Sequence, residues 1–398
     1  MIATTPFYER LAPMNTTGLW THWSGYLSAL RYDASAKHEY FAVRNSVGVF
    51  DTSPLFKYWI RGRDAERFLS GVLTRDVRQC RPGKAQYTLW CDDRGFVLED
   101  GVVFRHSDTE YLLTTARPNL GYFRDLVGPL SVTIQDASAG YGILAVQGPK
   151  ARTVLSAIAP GTDRLAFFEH TDTKIAGSSV TVSRTGYTGD LGYEITVPAD
   201  DALPVLDAVL ESGDGHGMRP FGEQALLMTR VEAGLVLIDV EFSSSRLAYT
   251  DHERVTPKEL GFGWMLRDIA DDRAFIGRDA LRRELADQTS RWASVGLVLD
   301  WEAYDRAYVG EGLLPPKDEH PLEYESMVYD ASGSRAGYAT SLMYSPVLQR
   351  HIAMARVRPH LAAVGTSVDV ELTINHEYRG VGAEVRRLPL YNPQRKTA

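Results

Sequence analysis

The stretch from Val180 to Pro198 combines acidic and aromatic side chains with three glycines, a pattern that could bind a small molecule. It reads VTVSRTGYTGDLGYEITVP, and Glu194 follows Tyr187 by seven residues. Apolar alternation on both sides of the glycines predicts two strands joined by a tight loop. We reject a dinucleotide site here, because the glycine fingerprint of such sites precedes a helix and this stretch continues as a strand. Glu194 lies inside an apolar strand, where a carboxylate either faces solvent or is held against a partner.

Asp100 is a second residue that could do chemistry, and it follows Tyr87 by thirteen positions. It opens the apolar run of residues 101–104, which places it at the mouth of a strand. A carboxylate at such a position either ends a turn or takes part in a reaction. If burial keeps its pKa in a useful range, the group can orient a bound molecule and hold or move its proton.

Helical and strand patterns surround these residues. Residues 64–77 and 200–211 carry apolar side chains at helical spacing, and residues 221–242 read as a helix running into a strand. Arg230 is directed toward an apolar face of this last helix, where a cation needs a partner. From residue 295 to residue 389, short strands with glycine-rich turns predict a small β-barrel.

Length and composition limit the classes of function. A chain of 398 residues is too long for one core, and the change in composition after residue 286 divides it into 1–286 and 287–398. The net charge of -8 argues against a nucleic-acid partner. No apolar run approaches the ~20 residues of a membrane span, so no membrane partner is expected.

The N-terminal segment and the cysteines indicate the compartment. The first residues lack the basic start and the apolar core of a secretory signal. Cys80 and Cys91 are too few for a disulfide framework or a four-ligand zinc site. We therefore expect a cytoplasmic protein without a metal site.

Several motifs, in order along the chain, resemble those of one family. RTGYTGDLGYEI is similar to the signature of the aminomethyltransferase family, which comprises the glycine cleavage system T-protein and its folate-binding relatives. AVR followed by FDTS, the segment Thr74–Val77, TRVEAGL and GYATSLMYSP resemble other motifs of that family, although Leu342 replaces a glycine in the last one. The resemblance extends from Val43 to Pro393. It implies an α+β fold of several subdomains around a central pocket, with a C-terminal β-barrel, and tetrahydrofolate as the cofactor.

The resemblance also implies roles for single residues. Glu194 would grip the pterin, whose ring N–H and amino group form a two-donor edge that a carboxylate can accept in a fork. Asp100 would be the catalytic residue, and Arg230 would bind a carboxylate of folate or substrate. Thr115 stands where the family commonly has an asparagine. The complete cofactor-binding set implied by the resemblance is Tyr87, Asp100, Val102, Thr115, Tyr187, Glu194, Arg230 and Trp264.

Departures from the family pattern lie on the substrate side, at Pro54–Phe56 and Thr115. We therefore predict a demethylase that moves a methyl group from a small-molecule donor to N5 of tetrahydrofolate. The resemblance implies a methoxyaromatic compound, a methylated amine or betaine, or a sulfonium compound as the donor. An ether donor needs an acid for its leaving oxygen, whereas an onium donor favours an aromatic box. The candidate substrate residues are Trp20, Trp23, Phe56 and His252.

Two other functions stay open from the sequence. A glycine cleavage T-protein would bind a lipoylated carrier protein and release ammonia. A non-catalytic folate-binding protein would bind the cofactor without turnover. A fusion partner of a sarcosine-type oxidase is not expected, because no flavin-binding dinucleotide domain precedes this region.

Overall fold

A computed structural model describes residues 2–322 and 324–398 of the chain. By contacts between Cα atoms the chain forms two compact units. The first consists of the residues up to Leu89, Glu99–Leu226 and Pro393–Ala398, and the second of Trp90–Leu98 and Leu227–Asn392. The domain boundary after residue 286 was inferred from a change in amino-acid composition along the sequence. That boundary stays a prediction.

The first 232 residues supply seven helices and thirteen strands among those that the structure describes. The helices are α1 (Tyr8–Leu11), α2 (Ala36–Asn45), α3 (Ala65–Val72), α4 (Leu120–Leu126), α5 (Ala151–Ile158), α6 (Ala202–Asp214) and α7 (Glu223–Glu232). The strands are β1 (Trp20–Trp23), β2 (Tyr26–Ala29), β3 (Val47–Asp51), β4 (Phe56–Arg61), β5 (Lys84–Cys91), β6 (Val97–Arg105), β7 (Glu110–Thr115), β8 (Thr133–Asp136), β9 (Tyr141–Gln147), β10 (His170–Ile175), β11 (Ser178–Ser183), β12 (Gly192–Pro198) and β13 (Met218–Pro220).

These strands form two large sheets and one small one. The larger sheet has the order β10-β11-β12-β9-β3-β13, the second has the order β5-β6-β7-β4-β8, and β1 pairs with β2. Helix α6 covers a core on the larger sheet with Val205, Leu206 and Val209, whose spacing of one and then three residues places them on one helical stripe. The sheet alternates accordingly, since Tyr193 and Ile195 of β12 belong to the same core.

The second unit contains a closed barrel. Its order is β14 (Ala293–Leu299), β17 (Arg350–Val357), β16 (Arg335–Ser345), β15 (Ser326–Tyr329), β18 (Ser367–Ile374) and β19 (Glu377–Arg386), and the helices α8 (Arg278–Asp287) and α9 (Trp301–Val309) belong to the same unit. Alternate residues Val295, Leu297 and Leu299 are buried in the barrel core. The predicted α+β class and the predicted C-terminal barrel are confirmed.

Two local predictions are wrong. Among the described residues no strand begins between α7 and β14, since residues 238 and 242 make only an isolated bridge. The connection between β11 and β12 is not tight, since it contains the eight residues 184–191. None of the helices in residues 2–322 and 324–398 has the length and apolar character to cross a membrane.

Candidate active site

The strand β12 separates its side chains between a core and an open face. Tyr193, Ile195 and Val197 are fully buried, whereas Glu194 between them is half-buried. Glu194 is paired across the ladder with Ser183 of β11 and with Ala145 of β9. Its carboxylate therefore leaves the sheet on the face opposite to the apolar core, where a ligand can reach it.

Thr185 holds this carboxylate in place. Its hydroxyl donates a short hydrogen bond to Glu194 Oε2, and it lies 2.7 Å from the Ser183 hydroxyl. Burial raises the pKa of Glu194, and the hydrogen bond from Thr185 opposes that rise. The result is a positioned acceptor whose charge is only partly hydrated, which suits a ligand with N–H donors.

Gln147 at the end of β9 organises the loop between β11 and β12. Its side-chain nitrogen donates to the carbonyls of Thr185 at 3.3 Å and Tyr193 at 3.2 Å, and its oxygen accepts from the Thr188 hydroxyl at 2.8 Å. A Cβ atom on Gly186 or on Gly192 would lie 2.1 Å from Gln147 Oε1. These two glycines are therefore needed because a buried amide passes directly over the backbone.

The far end of the same loop is fixed by charge. Asp190 is fully buried and accepts from Arg395 Nε at 2.7 Å and Arg395 Nη2 at 2.8 Å, in a two-bond fork. Arg44 donates to the Thr188 carbonyl at 2.9 Å. The half-buried Tyr187 thus belongs to a loop that is anchored on both sides.

Asp100 and Tyr87 are brought together across β5 and β6. The Tyr87 hydroxyl donates to Asp100 Oδ2 at 2.9 Å. Burial raises the pKa of Asp100, and its hydrogen bonds with Tyr87 and Glu99 stabilise the anion. The pKa of Tyr87 is raised by burial and by the charge of Asp100, with a further contribution from the neighbouring Tyr187. The predicted residues Tyr87, Asp100 and Tyr187 are therefore neighbours.

Glu99 forms an acid pair with Asp100. It is 1% exposed, its Oε1 accepts the Asp100 N–H at 3.3 Å, and its Oε2 is buried without a hydrogen-bond partner in the described structure. Burial and the charge of Asp100 raise the pKa of Glu99 strongly. Because two adjacent buried carboxyls cannot both be charged at low cost, Glu99 holds the proton and Asp100 carries the charge.

Asn119 is a buried amide in this region that no sequence motif singles out. It precedes α4, where its side chain makes no cap bond; instead it donates to the Arg117 carbonyl at 3.0 Å and lowers the pKa of Glu99. Thr115 is buried, and its hydroxyl donates to the same carbonyl at 2.7 Å. The sequence offers one indication of Asn119: an asparagine, a residue type common at helix starts, stands four positions after Thr115. The contact between Asn119 and Glu99 cannot be predicted in this way, because it depends on the tertiary fold.

The other sequence-predicted residues of the first unit lie in two groups. Val102 is half-buried on β6, and Phe56 of β4 is paired across the sheet with Thr115. Trp20 packs against Tyr8 with ring centroids 5.3 Å apart, and Trp23 stacks on Phe50 at 6.1 Å.

Arg230, Trp264 and His252 belong to the second unit. Arg230 is 1% exposed and pairs with Glu241 at 2.6 Å, and it also donates to the Ser341 hydroxyl at 2.9 Å. Trp264 is 41% exposed on a short 3₁₀ helix, and His252 is exposed beside the Trp292 ring. The ligand roles assigned to these three residues stay predictions. Among the described residues no cluster of three or more acidic, histidine or cysteine side chains could hold a metal ion.

Comparisons with known proteins give a consistent match along the chain. Residues 7–267 match the GCVT N-terminal domain, and residues 311–392 match the glycine cleavage T-protein C-terminal barrel domain. An aminomethyltransferase of Caldanaerobacter subterraneus is 31% identical over 92% of this chain and 91% of its own length. The fold is similar to that of the crystal structure of a glycine cleavage system aminomethyltransferase T from Bartonella henselae, with a TM-score of 0.82 at 22% identity over 98% of this chain and 99% of that one.

One similar protein carries a different name. A trimethylamine-oxide aldolase of Ruegeria pomeroyi is 32% identical over 99% of this chain. The match covers 48% of that protein, so this chain spans about half of its length.

Proposed function

Because the chain belongs to the glycine cleavage T-protein family, we propose that it is a tetrahydrofolate-dependent demethylase that transfers a methyl group from a small methylated donor to folate. The observation that carries the proposal is the pair of half-buried carboxylates, Asp100 with Tyr87 and Glu194 with Thr185, within one unit. Both are held by hydroxyl donors and keep acceptor capacity.

The residues of the first unit fit the chemistry of folate. The pterin edge of tetrahydrofolate presents adjacent N–H donors, and Glu194 is an acceptor that its own neighbours leave half open. Glu99, buried beside Asn119, adds a second polar position to this site. We assign Tyr87, Asp100, Val102, Thr115, Tyr187 and Glu194 to this site, with Asn119 as an addition.

The bound folate supplies the nitrogen that accepts the methyl group. Asp100 would orient that partner and accept, at its carboxylate, the proton displaced by the methyl group, because Tyr87 and Glu99 stabilise the charged form of Asp100 in a site from which water is partly excluded. Glu99 retains the one proton of the pair at neutral pH, so that Asp100 stays charged and able to accept a proton. Holding donor and acceptor together provides a further part of the rate enhancement.

A second candidate function is aminomethyl transfer as in the glycine cleavage system. It is favoured by the relatives named aminomethyltransferase, which cover nine-tenths of this chain. In that case the partner is a carrier protein bearing an aminomethylated lipoyl group instead of a small methyl donor. The demethylase is preferred because Pro54–Phe56 and Thr115 depart from the family pattern on the substrate side, and because a relative of 32% identity is named for a methylated amine oxide.

The test is incubation of the pure protein with tetrahydrofolate and separate donors: methoxybenzoates, methylated ammonium compounds, betaines and sulfonium compounds. We expect 5-methyltetrahydrofolate, assayed by mass spectrometry, with at least one donor, and its loss in Asp100→Asn. The matched control is Asp163→Asn, since Asp163 is an exposed acid outside the site. Formation of methylenetetrahydrofolate and ammonia from the lipoyl carrier alone would instead assign the aminomethyltransferase, and folate binding without either product would assign a binding protein.

A further inference from the structure

Residues 393–398 form a tail that lies against the loop between β11 and β12. By contacts between Cα atoms the tail belongs to the first unit, and it contains a short 3₁₀ helix, Gln394–Lys396. The Lys396 ammonium lies 5.8 Å from the centroid of the Phe167 ring, and burial lowers the pKa of Lys396. The tail is therefore packed on the first unit.

One tail residue holds the far end of the loop. Arg395 donates through Nε and Nη2 to the two oxygens of Asp190, at 2.7 Å and 2.8 Å, and its Nη2 also donates to the Arg44 carbonyl at 3.1 Å. The Asp190 side chain is fully buried, whereas that of Arg395 is 36% exposed. The Arg44 guanidinium approaches the same carboxylate at the longer distance of 3.4 Å. Arg395 is therefore the closer countercharge of a buried acid.

The tail also holds the near end of the loop, through backbone oxygens. Arg184 is 3% exposed, and its Nη2 donates to the backbone oxygens of Lys396, at 3.2 Å, and of Ala398. Arg152 donates to the same Ala398 oxygen at 2.8 Å. Because a guanidinium presents its donors in a rigid fork, these bonds fix the tail against residue 184.

Between these two ends the loop carries residues that we assign to folate. Thr185, whose hydroxyl donates to Glu194, follows Arg184 directly, and Tyr187 lies three residues before Asp190. A loop of eight residues that is fixed at both ends has few conformations left, whereas a freed loop must be ordered when a ligand binds. The affinity then falls by the fraction of molecules in which the loop has the binding conformation.

Gln147 is the alternative anchor, which would hold the loop without the tail. Its side chain bonds the Thr185 carbonyl and the Thr188 hydroxyl. These bonds join neutral groups, and such bonds contribute less than bonds to charged groups do. The fork between Arg395 and Asp190 joins two charges, one of them fully buried, so it is the stronger of the two anchors.

We propose that Arg395 is a positioning residue of the ligand site. Acting through Asp190, and together with the tail contacts of Arg184, it keeps the loop of Tyr187 in the binding conformation before the ligand arrives. The choice of tetrahydrofolate as the ligand rests on the proposed function, whereas the hold of Arg395 on the loop does not. Loss of Arg395 should weaken folate binding and leave the reaction of bound folate intact, because binding orders the loop again.

The first experiment measures tetrahydrofolate affinity by isothermal titration calorimetry. Arg395→Met removes the fork and should raise Kd at least about tenfold. Arg395→Lys keeps the charge but not the fork, so its Kd should rise about threefold. A chain that ends at residue 392 also loses the tail contacts of Arg184 and should bind at least as weakly as Arg395→Met. The matched control Arg358→Met, at an exposed position, should bind as the unchanged chain does.

Hydrogen exchange of the free protein, followed by mass spectrometry, reports on the loop itself. In Arg395→Met we expect faster exchange in residues 184–191 and in the tail, and saturating tetrahydrofolate should restore the protection. Arg358→Met should exchange as the unchanged chain does. Faster exchange throughout the first unit would indicate a general loss of stability instead and would overturn the proposal.

A double variant separates positioning from stability. Adding Asp190→Asn to Arg395→Met replaces the buried charge with a neutral amide and should restore part of the stability in urea denaturation. The fork is still missing, so the raised Kd and the fast exchange of the loop should persist. Return of the folate affinity together with the stability would overturn the proposal.

The remaining outcomes distinguish this proposal from the proposed function. A Kd of Arg395→Met within about twofold of that of Arg358→Met, or equal exchange of residues 184–191 in the two variants, would overturn the positioning role. If the unchanged chain binds tetrahydrofolate but forms no 5-methyltetrahydrofolate, the demethylase is wrong, and a raised Kd in Arg395→Met still supports the positioning role. If the unchanged chain binds no tetrahydrofolate, the proposed function fails, and local exchange in Arg395→Met still supports the hold of Arg395 on the loop.

Discussion

The Tyr87 hydroxyl donates a hydrogen bond of 2.9 Å to Asp100 Oδ2, and this bond ties a phenol on β5 to the acid on β6. A hydrogen bond with Glu99, the preceding residue, also stabilises the Asp100 anion. Three titratable groups thus share one small polar site, and their protonation states depend on one another.

Replacing Asp100 with asparagine keeps its size and removes its charge. We expect kcat/KM for methyl transfer to fall by roughly 10²–10⁴-fold, the range for removal of a group that manages a proton. Tyr87→Phe removes one hydrogen bond, so its effect should be about three- to tenfold. Initial rates of 5-methyltetrahydrofolate formation give both values. An Asp100→Asn variant as active as Asp163→Asn would refute the catalytic role of Asp100.

The pH profile should show the ionisation of Asp100. Because burial raises the pKa of this carboxyl and the reaction needs its charged form, kcat/KM should decline as the pH falls through that raised pKa. Tyr87 donates to the anion and so lowers its pKa. Tyr87→Phe should therefore move the acidic limb to higher pH. The limb is measured from about pH 5 to about pH 8, and a limb that stays in place would contradict this account.

Gly192 and Gln147 should show strong coupling. A Cβ on Gly192 would lie 2.1 Å from Gln147 Oε1, so Gly192→Ala forces the buried amide to move and should cost about 1–3 kcal/mol of unfolding free energy. Shortening the amide with Gln147→Ser should recover part of that loss in the double variant. Urea denaturation of the unchanged chain, the two single variants and the double variant measures the coupling free energy between the two positions. If the losses of unfolding free energy in the two single variants simply add, the close approach of Gly192 to Gln147 is not the cause of the loss.

The alternation of apolar residues predicted the strands β11 and β12 that carry Glu194, but it did not predict the connection between them. Alternation alone identified β11 and β12 and indicated that Glu194 either faces outward or meets a partner. The eight-residue loop was not foreseen, because its anchors Gln147, Arg44 and Arg395 are distant in sequence and only the tertiary fold brings them to it.

The segment after α7 and the residue Asn119 show where local sequence patterns are insufficient. The apolar run after α7 reads as a strand, but residues 238 and 242 form only an isolated bridge. Asn119 was passed over because its use depends on Glu99, which is twenty residues away in the sequence and is brought close by the second sheet. The family resemblance predicted which residues belong to the site. The hydrogen bonds that hold their side chains could be identified only from the structure.

His170 should make stability depend on pH. Burial, and then repulsion from His106 at a ring distance of 4.7 Å, lowers the pKa of His170 to about 4. The unfolded chain takes up this proton near pH 6.5, so the folded state is favoured above that pH and loses stability as the pH falls toward 4. We expect a loss of about 2 kcal/mol between pH 7 and pH 5 from this residue.

Urea denaturation at the two pH values measures this loss. His170→Gln keeps a nitrogen donor for the Arg105 carbonyl, which His170 Nε2 approaches at 3.1 Å, and it removes the titration. Its stability should vary less between the two pH values than that of the unchanged chain. His360→Gln, at an exposed position, is the matched control and should retain the full dependence. Equal dependence in His170→Gln would exclude His170 as the cause.

Arg230 has two possible roles that substitutions can separate. Its guanidinium donates to Glu241 at 2.6 Å, and Glu241 also accepts from Ser341 at 2.6 Å and from the Leu237 N–H at 2.8 Å. Arg230→Met would leave the buried Glu241 without its countercharge and should cost about 3–5 kcal/mol of unfolding free energy.

Adding Glu241→Gln to Arg230→Met should restore part of this stability, because a neutral amide needs no countercharge and still accepts the Leu237 N–H. Tetrahydrofolate affinity then distinguishes the roles. If Arg230 only supports the fold, the restored double variant binds folate about as tightly as the unchanged chain does. If Arg230 binds a ligand carboxylate, as the family resemblance implies, affinity stays at least about tenfold weaker even after stability returns, since a lost charge-assisted bond is worth about 1.5–3 kcal/mol. Calorimetric titration of folate against the two variants gives the answer.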